Sequence, residues 1–181
     1  MRQTWSYHAP GRAGAASSGL SGRLHLWEQI MIDYWLAVAH HLIVFAMVVL
    51  VALEISLLKP PLDAERIGRI ARIDVIYGIL AVAIIVAGFV RANLAAKGWY
   101  YYSHNLFFWL KIGTFALIGV LSALPTARFM RWKRATKGDP AWLPPANELR
   151  GVRLLLHIEA SLFIPVIAFA AAMARGYGAL G

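Results

Sequence analysis

Two groups of polar side chains interrupt an otherwise apolar sequence. His40 and His41 are neighbours in the run WLAVAHHLIVFAMVVLVALEISLL, which carries Glu54 near its other end. Lys111, Arg91 and His104 fall in or beside later apolar runs. Neutral imidazoles are good axial ligands to haem iron, and a lysine or arginine can pair with a propionate. This chemistry makes His40, His41, Lys111, His104 and Arg91 the candidate cofactor-binding residues. Glu54, His157 and Glu159 form a second group, with Asp74 and Tyr77 nearby in depth. Their chemistry is proton exchange or hydrogen bonding between helices.

Each residue also has a structural reading. Glu54 can pair with Arg66, Arg69 or Arg72 at the membrane surface, and Lys111 can extend its ammonium towards the interface. The histidine pair can pack and bond to backbone. His104 fits an interfacial aromatic belt, His157 a structural position, and Glu159 a helix–helix contact.

The elements that must position these groups are membrane helices. The run from Trp35 to Leu58 is long enough, at about 1.5 Å per residue, to cross a hydrocarbon core of about 30 Å. With three further runs, the expected spans are about 35–58, 75–95, 106–127 and 152–174. With 60% hydrophobic and 15% charged residues and a mean hydropathy of +0.60, the chain is too apolar for a soluble domain of 181 residues. The expected fold class is all-α, an integral membrane four-helix bundle. It has no cysteine, which excludes disulfides and thiolate chemistry. The net charge of +9 sits in short loops beside the spans. That placement points to the lipid bilayer as partner rather than to nucleic acid.

Residues 1–30 are Gly/Ser/Ala/Arg-rich at first and lack a continuous apolar core, so they are not a secretory signal. They are expected to be an extension disordered to about Arg23, or the product of a start assigned too early, with Met31 the alternative start. A domain of four transmembrane helices follows over 31–178. Lys59-Pro60-Pro61 ends the first span, and Arg66, Arg69 and Arg72 alternate with Ile67, Ile70 and Ile73 in an amphipathic surface run. KGWYYYSHN forms an aromatic belt. The loops 59–74 and 128–153 hold four and seven Lys and Arg, against six in the remaining non-spanning segments. The excess places those loops in the cytoplasm and both termini in the periplasm of a bacterial inner membrane.

That topology sorts the polar residues into two layers. His40, His41, Lys111, Arg91 and His104 lie towards the outer side, and Glu54, Glu159, His157, Asp74 and Tyr77 towards the inner. His40, Met47 and Glu54 recur every seven residues, so one helix face carries both polar ends. His41 points about a hundred degrees away from them.

AVAHHLIVFAMVVLVALE, RIARIDVIYGILAVAIIVAGFVR, KGWYYYSHNLFFWLKIGTFALIGVLSALPTARFMRW and the closing AAMARGYG resemble the family of predicted bacterial membrane proteins called domain of unknown function 2214. The likeness covers roughly Ile32 to Gly178. It implies a four-helix inner-membrane protein without an established activity. More distantly, His40 or His41 and the Trp109-Leu110-Lys111 pattern are similar to haem-associated four-helix membrane proteins of the protoporphyrinogen-oxidase-like and copper-resistance types. That likeness implies haem b as a candidate cofactor.

Three readings stand open beneath the family-level description of a membrane protein of unknown activity. They are a haem- or tetrapyrrole-binding redox protein, a small proton-coupled carrier, and a membrane scaffold. A homodimer or a membrane partner suits the small size of the bundle. No catalytic residue stands out, and the sequence leaves open whether the chain is an enzyme.

Overall fold

The computed structural model describes residues 12–94 and 98–180, with side chains from Trp27 onward except that of Leu94. Five helices follow in order: α1 (Arg12–Leu57), α2 (Ala64–Leu94), α3 (Gly98–Ser103), α4 (Leu106–Gly138) and α5 (Ala146–Ala174). Among the described residues there is no strand, only an isolated bridge between Asn105 and Ala179. Four helices are long and apolar enough to cross a membrane, over Trp27–Leu57, Ala64–Asn93, Leu106–Gly138 and Ala146–Ala174. The long helices form a ring in the order α1, α2, α4, α5, each packing on its two neighbours. Their outer faces carry Leu42, Phe45, Val82, Phe89, Val120 and Ile164, all exposed. Such a surface is stable only against lipid.

Local sequence explains the ends. Pro60 and Pro61 stop α1, and the Asp63 carboxylate accepts from the Arg66 backbone N–H at 2.7 Å, capping α2. Asn105 caps α4 by accepting from the N–H groups of Phe107 and Phe108. The same side chain donates from Nδ2 to the Tyr177 carbonyl at 2.9 Å, which ties the tail to the start of α4.

Two local expectations change. The Arg66–Arg72 run is not a separate surface segment. It forms the first turns of α2, with Ile67, Ile70 and Ala71 buried against Phe129, Trp132 and Leu156. The stretch from Arg128 onward, expected to be loop, continues α4 to Gly138. Pro125, Phe129, Trp132 and Thr136 are buried at helical spacing there, and packing on that stripe outweighs the proline. At the N-terminus α1 begins at Arg12, within the expected extension. The alanines of that stretch favour helix. The remainder of that expectation, residues 1–11, lies outside the described residues.

Two apolar cores fill the ring. One, at the end where α1 meets α2 and α4 meets α5, is built from Leu58, Ile67, Ile70, Phe129, Trp132, Val152 and Leu156. The other, nearer mid-bundle, contains Met47, Val51, Ile84, Ile118, Phe163 and Val166. The first is the basic end of the molecule and the opposite one, with α3, the aromatic end.

Candidate functional site

The aromatic end contains a cavity of about 360 Å³ to which all five helices contribute. Phe89 of α2, Trp99 of α3 and Phe108 and Trp109 of α4 wall it, and His40 and Lys111 supply its polar groups. His40 reaches it because it lies on the ring-facing stripe of α1 that also holds Met47, Val51 and Glu54. Its imidazole packs on Gly88, where an added Cβ would stand 3.5 Å from Cε1. His40 Nδ1 is enclosed without a hydrogen-bond partner. The Lys111 ammonium stands 5.5 Å over the Phe108 ring, a cation–π contact that holds it beside the cavity. An apolar cavity with two convergent polar groups has the usual make-up of a small-molecule site.

The other expected outer-layer residues do not join it. His41 is exposed and its Nδ1 lies 2.6 Å from the Ala37 carbonyl, following the hundred-degree offset from His40. Arg91 is 3.4 Å from Asp33 across α1 and α2, so its charge has a partner outside the cavity. His104 is exposed and stacked on Tyr100, with Nδ1 3.0 Å from the Tyr100 carbonyl. Among the described histidine side chains, His40 is thus the one that lines the cavity, and no second imidazole faces it there.

Towards the basic end, Glu54 of α1, Asp74 and Tyr77 of α2 and Glu159 of α5 are buried together. Thr126 of α4 donates to Asp74 Oδ1 at 2.8 Å. Sequence reasoning missed Thr126, although it stands at the matching depth of the third span. The surface pairing expected for Glu54 does not form. Arg66 donates to the carbonyls of Lys59 and Pro61, Arg69 pairs with Glu65, and Arg72 is exposed. His157 also lies outside the cluster, exposed, with Nδ1 2.6 Å from the Arg153 carbonyl. Among the described residues, no three His, Asp or Glu side chains assemble as a metal site.

Below this cluster Glu148 accepts from Trp132 Nε1 at 3.1 Å and pairs with Arg131 and Arg128. The arrangement fixes the α4–α5 turn rather than offering chemistry.

Four spanning helices around two separate polar layers define a polytopic membrane protein of the four-helix type. Residues 32–178 match the family described as "Predicted membrane protein (DUF2214)", and the chain belongs to it. No curated protein and no solved structure matches the chain.

Proposed function

We propose that this membrane protein lies in the bacterial inner membrane with both termini in the periplasm, and that its aromatic-end cavity holds a hydrophobic ligand through His40 and Lys111. The topology rests on the eleven Lys and Arg of the two basic-end connections, against six in the other non-spanning segments. Alkaline phosphatase fused after Gly181 should be active, and a fluorescent protein that matures only in the cytoplasm should stay dark there.

The observation that carries the ligand reading is the enclosed, unpartnered His40 Nδ1 beside Lys111 in a cavity whose remaining walls are apolar. Enclosing a hydrogen-bonding atom without a partner is unfavourable, which a ligand contacting the ring can offset by fixing its tautomer and orientation. The matching ligand has an apolar body and an acidic or hydrogen-bond-accepting head for Lys111.

Haem is the narrower form of this reading. His40 and Lys111 would be the residues that hold it, since His41 and His104 do not line the cavity. Bound haem would supply one-electron chemistry. Oxidised and reduced absorption spectra of the detergent-purified full chain, with a pyridine haemochrome assay, test this form. A Soret band lost in His40→Ala supports haem. A flat visible spectrum removes haem and leaves a colourless ligand to be sought in an organic extract of the same preparation.

A further inference from the structure

The polar layer near the basic end is separate from the ligand cavity. His40 and Glu54 are fourteen residues apart on α1, about 21 Å at about 1.5 Å per residue. Met47 and Val51 fill the interval and are fully buried.

The layer itself is unusual in its lack of partners. Glu54, Asp74, Tyr77 and Glu159 have relative exposures of 2, 4, 4 and 1%. Asp74 Oδ1 is satisfied by Thr126, but Glu54 Oε1, Asp74 Oδ2, the Tyr77 hydroxyl and both Glu159 oxygens have no hydrogen-bond partner. Val51, Tyr77 and Phe163 pack in one core, and Glu54, Asp74 and Glu159 stand within about a turn of them on the same three helices, which sets the four groups at one level of the bundle. Among the described residues, no lysine, arginine or histidine of the four long helices pairs with the layer. Arg66, Arg69, Arg128 and His157 are engaged elsewhere, and Arg72 is exposed.

Three carboxylates in so dry a place would repel one another without a counter-charge. A carboxylic acid avoids this, because its O–H donates while its carbonyl accepts. A carboxyl that carries a proton is neutral, so it neither repels its neighbours nor needs a counter-charge. The layer is also shut on both sides. Leu58, Ile70 and Leu156 lie within about a turn of Glu54, Asp74 and Glu159 towards the basic end, and Val51 and Phe163 close the other side.

We propose that Glu54, Asp74, Tyr77 and Glu159 form an occluded proton-binding site, in which the carboxyls share protons that enter and leave only when the apolar layer at the basic end opens. The bound species is the proton rather than a metal ion, since the oxygens do not assemble as a metal site. The site stands whatever the outer cavity binds.

A membrane-soluble carbodiimide tests it on the full chain in liposomes. The reagent consumes a protonated carboxyl: the acid proton passes to a carbodiimide nitrogen, the acid oxygen bonds to the central carbon, and rearrangement leaves a stable N-acylurea that peptide mass spectrometry maps. Glu54 or Glu159 should be labelled at acid and neutral pH, labelling should be lost as the pH is raised, and sodium at fixed pH should not protect. In Glu54→Gln the pH midpoint for labelling Glu159 should move, because one interacting carboxyl is gone. Circular dichroism and thermal unfolding of each variant establish that it is folded. Absence of any adduct on Glu54 and Glu159 in folded wild-type protein overturns the proposal. Protection by sodium at fixed pH also overturns it, by replacing the proton with a metal cation.

Discussion

The imidazole of His40 rests directly on the backbone of Gly88, where a Cβ would lie 3.5 Å from Cε1 and 4.0 Å from Nδ1. One helix thus turns a cavity-facing histidine onto the smallest residue of its neighbour, and the cavity opens beside that contact. A single methyl fits at ordinary van der Waals distance. Gly88→Ala should therefore leave thermal stability unchanged or raise it by up to about 1 kcal/mol, since alanine is the better helix former. Gly88→Phe should push the imidazole aside and fill the cavity. The paired measurements are thermal unfolding in detergent and ligand retention.

At the basic end, the Glu148 carboxylate holds the buried Trp132 indole at 3.1 Å as well as two arginines. The arginines are 41 and 55% exposed, so Arg131→Ala should cost less than about 1 kcal/mol. Glu148→Ala leaves the buried indole N–H without its partner as well as both arginines, and should lower the unfolding midpoint more than Arg131→Ala does. Unfolding midpoints of the two variants, compared in one detergent, give the order.

Asn105 joins α4 to the tail. Asn105→Ala removes the cap on Phe107 and Phe108 and the bond to the Tyr177 carbonyl together, with an expected loss of roughly 1–3 kcal/mol. Asn105→Asp keeps the cap acceptor and loses the tail bond. Limited proteolysis should cut the tail of both variants sooner than that of the wild type.

The tail glycines should separate in the same assay. Gly176 and Gly178 both have positive φ, 83° and 82°. A Cβ on Gly176 meets open space, whereas one on Gly178 would lie 2.5 Å from Phe107 Cδ2. Gly176→Ala should cost about 1–2 kcal/mol of backbone strain. Gly178→Ala adds a clash with Phe107 and should lower the unfolding midpoint further.

Much of this architecture is legible in the sequence. Apolar length gives the four spans, and depth along oppositely running helices groups His40 with Lys111 and Glu54 with Glu159. The seven-residue recurrence of His40, Met47 and Glu54 correctly puts them on one inward stripe. Rotation about each helix is harder to read. His41, His104 and His157 share the depths of the two layers, yet each turns back to a carbonyl four residues earlier on its own chain. Asp33 takes Arg91 from fifty-eight residues away, a contact that no local pattern announces. The continuation of α4 past Ala127 was visible in principle, in the spacing of Phe129, Trp132 and Thr136. A proline followed by a basic run reads more simply as a loop.

Ligand occupancy of the aromatic-end cavity is the claim that one measurement reaches most directly. Native mass spectrometry of the full chain, released from native membrane discs, should show the polypeptide with an added small molecule. The added mass should be absent from His40→Ala and Lys111→Met chains that unfold at the wild-type temperature. Wild-type and variant chains carrying the same mass, or no added mass on any of them, would contradict the account.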